Sequence, residues 1–158
     1  MSRYILFTLL AMATLTSFVS AQDDGFGLGL ILGEPTGVSL KAWLTDNTAM
    51  AGAVAWSFGK KDALHLHADY LIHDFKLIRT EDYNFPVYYG IGGRVRFEED
   101  DKIGVRIPLG INYLFTDAPL DMFLEIVPLL NLAPSTDFDL NGAIGVRYLF
   151  GWQRPLKH

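Results

Sequence analysis

The amino-acid sequence predicts an all-β protein, an eight-stranded antiparallel up-and-down transmembrane β-barrel. Successive side chains of a strand point to opposite faces, and along this chain one alternating face lacks charge while the other carries Arg, His, Asp, Glu and Lys. Turn signals divide the chain into segments of strand length, and an apolar leader precedes them. Hydrocarbon cannot satisfy the hydrogen bonds of an open sheet edge, so a sheet that faces lipid has to be closed.

The N-terminus has the pattern of a secretory signal peptide. Arg3 precedes an almost wholly apolar run from Tyr4 to Val19, and Val19-Ser20-Ala21 places small residues where a signal peptidase reads them. We expect cleavage before Gln22, which gives a signal peptide of residues 1–21 and one barrel domain of residues 22–158. A membrane-anchoring helix is the weaker alternative, because the run is short and Thr-rich and lacks a basic stop-transfer flank.

The strands follow one another with turn residues such as Gly, Pro, Asn and Asp between them. The predicted strands are Phe26–Leu32, Val38–Leu44, Met50–Phe58, Ala63–His73, Val87–Glu98, Ile103–Phe115, Asp121–Leu130 and Asp139–Phe150. Most connections are short, which indicates an antiparallel meander. The segment from Asp74 to Pro86 is a longer connection.

The sixth predicted strand shows the pattern most clearly. Its outward positions are all apolar: Ile103, Val105, Ile107, Leu109, Ile111, Tyr113 and Phe115. Such a strip is long enough to cross a bilayer when the strand is tilted. A Lys or Arg near the midplane of this face would cost roughly 2 to 4 kcal/mol, and the outward positions of the eight predicted strands contain no charged residue.

Soluble classes fit the chain less well. A lipocalin-like carrier or a β-sandwich needs the opposite polarity, with polar residues outside and apolar residues inside. The chain has no cysteine, which rules out a disulfide framework. The formal net charge is −5 and the basic residues are scattered, so we expect no nucleic-acid partner.

Several segments resemble a family of small, uncharacterised bacterial outer-membrane β-barrel proteins with OmpA-like architecture. The segments are residues 32–37, 39–43, 64–70, 88–94, 132–136 and 144–148. The resemblance implies this fold and the bacterial cell outer membrane as location, and it implies no catalytic residue. The last strand, with Gly145, Tyr148 and Phe150, is similar to the signal read by the outer-membrane assembly machinery. It differs from that signal in having Ala143 where a polar residue is usual and in continuing to His158.

The inward face carries the candidate functional residues. We expect a polar network in the lumen made of Lys41, His65, His67, Asp69, Arg94, Arg96, Arg106, Glu125 and Arg147. The arginines should pair with Glu125 and Asp69, since guanidinium groups match carboxylates and an eight-stranded barrel is just wide enough for side chains to fill. Inward glycines should make room for these long side chains. The spacing of His65, His67 and Asp69 also suits a metal, but the surrounding cations oppose one, and we expect no metal or cofactor.

The leading functional interpretation is a non-enzymatic integral outer-membrane protein with a structural or interaction role and a plugged lumen. We expect its partners to be the lipid bilayer and the assembly machinery, and we expect a monomer. A membrane-embedded lipid-modifying enzyme is the alternative, with His73 and Asp74 as a candidate pair at the rim. A narrow pore is the third possibility.

Overall fold

The computed structural model describes residues 25–34, 36–57, 63–80 and 85–151. The predicted signal peptide, the last residue of the predicted third strand (Phe58) and the tail beyond Gly151 lie outside the described residues. In the described part of the chain, no helix is long and apolar enough to cross a membrane.

The described residues form nine β-strands. They are β1 (Phe26–Gly33), β2 (Gly37–Trp43), β3 (Thr48–Ser57), β4 (Ala63–Asp74), β5 (Val87–Phe97), β6 (Lys102–Arg106), β7 (Leu109–Leu114), β8 (Leu120–Ala133) and β9 (Asp137–Phe150).

The strands close into a ring in which every strand pairs antiparallel with the strands on its two sides. β1 pairs with both β2 and β9, which joins the two ends of the sheet. β6 and β7 share one position in the ring, since each pairs with β5 on one side and β8 on the other. The ring thus has eight positions, and the predicted up-and-down barrel is confirmed.

The sixth predicted strand is interrupted, which the sequence analysis did not anticipate. Ile107 and Pro108 separate β6 from β7. Proline has no N–H and cannot donate to the ladder. The register nevertheless continues across the gap, because Gly92 pairs with Arg106 and Tyr89 pairs with Leu109, three residues further along each strand. The two faces therefore keep their identity through the break.

The last two strands are longer than predicted. β8 and β9 each have 14 residues, and their pairing runs from Leu120–Tyr148 to Asn131–Asp137. The predicted strands end at Leu130 and begin at Asp139, because the polar residues and Pro134 between them are typical of a wider turn. Backbone pairing continues through those polar residues.

The exposure of side chains alternates in the predicted phase. On the outer face Leu30, Ile91 and Leu124 are 58%, 60% and 56% exposed. On the inner face, Phe123 and Leu129 are fully buried. Asp74, the last residue of β4 at one rim of the ring, is the one charged residue of outward phase in the described strands. The other charged side chains of these strands lie inside the ring.

The barrel has two distinct ends. The terminal end holds Phe26 and Phe150, connections 44–47 and 115–119, and the described residues 75–80 and 85–86 between β4 and β5. The far end holds residues 34 and 36 between β1 and β2, connections 98–101 and 134–136, the end of β3 and the start of β4. This division places every inward side chain at a defined height in the lumen.

Candidate functional site in the barrel lumen

The nine candidate residues all lie on the inner wall at different depths. Six are buried, with less than a tenth of their surface exposed: Lys41, Asp69, Arg94, Arg106, Glu125 and Arg147. His65, His67 and Arg96 are half-buried toward the far end. The structure also buries polar residues that were not among the candidates: Ser39, His73, Asn112, Asp121, Asn131 and Asn141.

A central cluster forms around Arg106. Its Nε donates to both carboxylate oxygens of Asp69, at 2.8 and 3.1 Å, and its Nη2 lies 3.5 Å from Oε1 of Glu125. Tyr88 donates its hydroxyl proton to the other oxygen of Glu125 at 2.8 Å. The guanidinium thus lies between two carboxylates, which is the arrangement that compensates a charge removed from water.

A second cluster toward the terminal end forms around Asp121. Its Oδ2 lies 3.2 Å from Nη1 of Arg147 and 3.5 Å from Nζ of Lys41, and its other oxygen accepts from the Asn112 amide. Lys41 Nζ lies 3.0 Å from His73 Nε2. Arg147 therefore pairs with Asp121, and the expected pairing of Arg147 with Glu125 or Asp69 is wrong. Asp121 on β8 lies directly opposite Arg147 on β9 in the register, so its carboxylate is the one that Arg147 contacts.

The third group lies near the far end. Arg94 Nη2 donates to the Asn131 side chain at 2.7 Å and lies 3.8 Å from Asp139 Oδ2. Arg96 and Lys102 approach Glu98 at 3.0 and 3.7 Å. The expected pairing of Arg94 with Glu125 or Asp69 is also wrong. The register places Asn131 one strand away from Arg94, beside Gly104, so the Asn131 side chain is within reach of this guanidinium.

The register of β4, β5 and β6 explains how Arg106 contacts Asp69. The register aligns Asp69 on β4 with Gly92 on β5, and Gly92 with Arg106 on β6. The two charged residues are therefore separated by one strand, and the residue between them has no side chain. A Cβ at Gly92 would collide with the Asp69 carboxylate. We call this arrangement, two polar side chains bonded across an inward glycine of the intervening strand, a glycine bridge.

Three more glycine bridges occur in the lumen. Arg94 bonds Asn131 across Gly104, Tyr88 bonds Glu125 across Gly110, and Arg147 Nε donates to Ser39 Oγ at 2.9 Å across Gly29. Together the four bridges tie strands that are not direct neighbours in the ring. Each inward glycine therefore leaves the gap in which two polar side chains of the flanking strands form a hydrogen bond.

The residues that sequence reasoning missed follow the same parity as those it found. Asp121 lies four residues before Glu125 on β8 and so faces the same side. It was passed over because it stood at the start of a predicted strand. His73 lies near the terminal end, where its backbone N–H donates to Asn47, and its side chain is 3% exposed and contacts Lys41. Its neighbour Asp74 is exposed and accepts the backbone N–H of Lys76 and Leu77.

The arrangement of His65, His67 and Asp69 does not assemble a metal site. Nε2 of His67 lies 3.8 Å from Asp69 Oδ2, and Arg106 occupies both oxygens of that carboxylate. Among the described ranges, no group of three or more His, Asp or Glu residues is placed to hold a metal ion.

Comparisons with known proteins show similarity in fold. No protein-family model matches the chain, and no curated protein matches it significantly. The chain is similar to a solved structure, the N-terminal β-barrel domain of Pseudomonas aeruginosa OprF, with a TM-score of 0.55 and 14% identity over 80% of this chain and 96% of that one. At this identity the likeness speaks for the fold. The protein therefore has the OmpA-like barrel fold.

Proposed function

We propose that this chain is an integral protein of the bacterial outer membrane with a non-enzymatic structural or interaction role and a lumen closed by packed side chains. The observation that carries the proposal is the outer face of the closed ring, which is uncharged apart from one residue at a rim and where large apolar residues such as Leu30, Ile91 and Leu140 are more than half exposed. Monomeric soluble proteins rarely expose a continuous apolar surface of this extent. A bilayer is the surrounding that removes it from water.

Aromatic residues at the two ends of the outer face support this proposal. At the terminal end Phe26, Tyr148 and Phe150 form one contact group, with ring centroids 4.8 Å apart for Tyr148 and Phe150 and 6.3 Å apart for Phe26 and Phe150. At the far end Trp56 and Phe97 both lie beside Leu64 in the register and are exposed. Aromatic girdles at both interfaces are typical of outer-membrane barrels.

The packing of the lumen supports the closed state. Arg106, Tyr88 and Lys41 are fully buried although they point into the ring, and Ile31 and Leu71 belong to a buried apolar cluster with Tyr88 and Phe123. An eight-stranded barrel leaves little room beyond its own side chains. These contacts favour a plug over the narrow pore.

The geometry around His73 does not favour the lipid-modifying alternative. A general base has to reach its substrate within hydrogen-bonding distance, and His73 is buried against Lys41, Trp43 and Tyr88. Asp74 belongs to the outward phase of β4 and caps a turn. We therefore do not propose His73 and Asp74 as a catalytic pair.

Cell fractionation tests the location. We expect the protein to sediment with outer membranes, to start at Gln22 after processing, and to migrate faster on gels unboiled than boiled. The assembly machinery and lipid are then its partners, and a monomer is the expected state. Recovery in the soluble periplasmic fraction without a heat-modifiable band would contradict the proposal.

Assays with two lipids distinguish the non-enzymatic role from the lipid-modifying enzyme. We expect refolded protein to leave lipopolysaccharide and phospholipid chemically unchanged. Release of acyl chains or headgroups by the wild type would favour the lipid-modifying enzyme instead.

A further inference from the structure

Basic side chains cluster on the inner wall near the far end of the barrel. The register places His65 on β4 opposite Arg96 on β5, and Arg96 opposite Lys102 on β6. One row deeper, His67 lies opposite Arg94. We call these five residues the basic patch. Like charges directly opposite each other destabilise a sheet, so Arg96 and Lys102 need an anion nearby.

The carboxylates that contact the basic patch come from its edges. Glu98, in the turn after β5, lies 3.0 Å from Arg96 and 3.7 Å from Lys102. Asp139 on β9 lies 3.8 Å from Arg94 and has about half of its side chain exposed, at 49%. Asp69, one row below His67, is held by Arg106. The patch is therefore neutralised from the rim and from below, while its centre faces the lumen.

Three nitrogen atoms of the basic patch have no hydrogen-bond partner within the described residues, although each is shielded from solvent. They are His65 Nε2, Arg94 Nε and Arg96 Nε. The contact of Arg96 Nε with Glu98 is an ion pair without hydrogen-bond alignment. A buried polar group without a partner costs free energy, and three in one patch point to an acceptor that binds among them.

The wall beside the histidines is made of small side chains, so no polar group of β3 competes for their ring nitrogens. His65 and His67 lie opposite Ala55 and Ala53 on β3, whose side chains are single methyl groups. The access route is from the far end, because the side chains of Arg96 and Lys102 are 27% and 34% exposed while that of Arg94 is only 5% exposed. Exposure thus falls from the mouth toward the deeper row.

We propose that the basic patch binds a phosphate-type oxyanion in the mouth of the barrel. Guanidinium groups donate in a planar fork that matches phosphate oxygens, and an ammonium group adds a mobile point charge. The imidazole of His65 supplies one further nitrogen from the opposite strand. Free phosphate and the phosphate of a lipid headgroup share this chemistry.

Calorimetric titration with inorganic phosphate tests the site. The refolded protein is held in uncharged detergent micelles at constant ionic strength, with chloride as the reference anion. We expect saturable phosphate binding by the wild type and a loss of about tenfold or more in affinity for Arg96→Gln, since a hydrogen bond to a charged group is removed. Lys102→Gln serves as a second variant at the exposed edge of the patch, with the same direction of change.

Lys76→Gln is the matched control, because it removes one positive charge at the opposite end of the barrel, in an exposed position. Its affinity should equal that of the wild type. An absence of saturable binding by the wild type, or equal losses in Arg96→Gln and Lys76→Gln, would overturn the proposal.

Vesicles distinguish the two sources of phosphate. The titration is repeated with protein in phosphatidylcholine vesicles and in vesicles that also contain phosphatidic acid. Unchanged affinity for inorganic phosphate in both identifies a free anion as the ligand. Loss of the titration in the presence of phosphatidic acid identifies a lipid headgroup, and both results support the site.

Discussion

At the scale of single residues, Gly92 and Gly93 offer a direct comparison on one strand. Gly92 faces the lumen between Asp69 and Arg106, and an added Cβ would also meet the backbone carbonyl of Ala68. Gly93 faces outward, where the nearest atom to an added Cβ is 3.9 Å away. The same substitution therefore meets opposite surroundings.

We predict that Gly92→Ala lowers the free energy of unfolding by about 3 kcal/mol or more, because overpacking and a broken buried ion pair each cost on that order. Gly93→Ala should be nearly neutral. Urea unfolding in lipid vesicles measures both variants. Equal midpoints for the two would show that Arg106 does not depend on the gap at Gly92.

A second residue-scale prediction concerns Asn112. Asn112 is 1% exposed and its amide donates to Asp121, so Asn112→Ser changes a buried contact. The shorter serine side chain cannot fill that position, so we expect a loss of about 1 to 3 kcal/mol from the unsatisfied carboxylate oxygen. A urea midpoint equal to that of the wild type would show that stability does not depend on the hydrogen bond between Asn112 and Asp121.

Sequence reasoning predicted individual lumen residues better than their pairing. The alternation of faces follows from chain parity alone, and it placed Arg106, Glu125 and Asp69 correctly on one wall. Pairing depends on height in the barrel and on which inward positions lack side chains. Those quantities follow from strand register, which turn lengths and strand tilt determine jointly.

At the scale of elements, the outward phase of β7 allows a sharp test. Leu109 is 47% exposed on the outer face and lies near the middle of the ring position shared by β6 and β7. We expect Leu109→Arg to prevent insertion, because a charge at mid-depth costs roughly 2 to 4 kcal/mol. Folding into vesicles is followed by the heat-modified gel band.

Leu77→Arg is the control, since Leu77 lies in the connection after β4 and is 69% exposed. It should insert like the wild type. Normal insertion of Leu109→Arg would mean that β7 does not contact lipid at this position.

The break between β6 and β7 could not be read from the alternation, because the pattern of apolar residues runs through it. Pro108 was present in the sequence, and proline inside a strand was a signal that favoured an interruption. The strong periodicity of Ile103–Phe115 concealed it. β8 and β9 extend beyond their predicted ends for a different reason. Polar residues such as Asn131 and Asp137 suggest a turn, but in the structure they pair across the two strands.

At the scale of the whole molecule, the packed lumen determines whether solutes pass. Glu125 accepts from Tyr88 and compensates Arg106, so it links two glycine bridges. We predict that Glu125→Gln lowers stability by about 3 to 5 kcal/mol if the site is dry, since a buried guanidinium loses part of its compensation. The wild type should show no steady conductance in planar bilayers.

Tyr88→Phe provides the matched comparison, because it removes the hydroxyl that donates to Glu125 but leaves both charges in place. Its loss should be nearer 1 kcal/mol. An unchanged urea midpoint for Glu125→Gln together with steady ion conduction by the wild type would favour an open pore.

Pro108, at the sixth position of the ring, and Pro128, on the neighbouring β8, bear on how the barrel opens. Gly90 donates to the Pro108 carbonyl at 3.0 Å, and Ile107 donates to the Pro128 carbonyl at 2.9 Å. In a regular antiparallel ladder such opposed residues exchange two bonds, but neither proline can return one. The pairing of this position with β5 and its pairing with β8 thus each include one residue pair with a single hydrogen bond where two are usual. Backbone amides here should exchange with deuterium sooner than those between β3 and β4, which pair without proline. The sheet should open first between β5 and β8, at the position that β6 and β7 share.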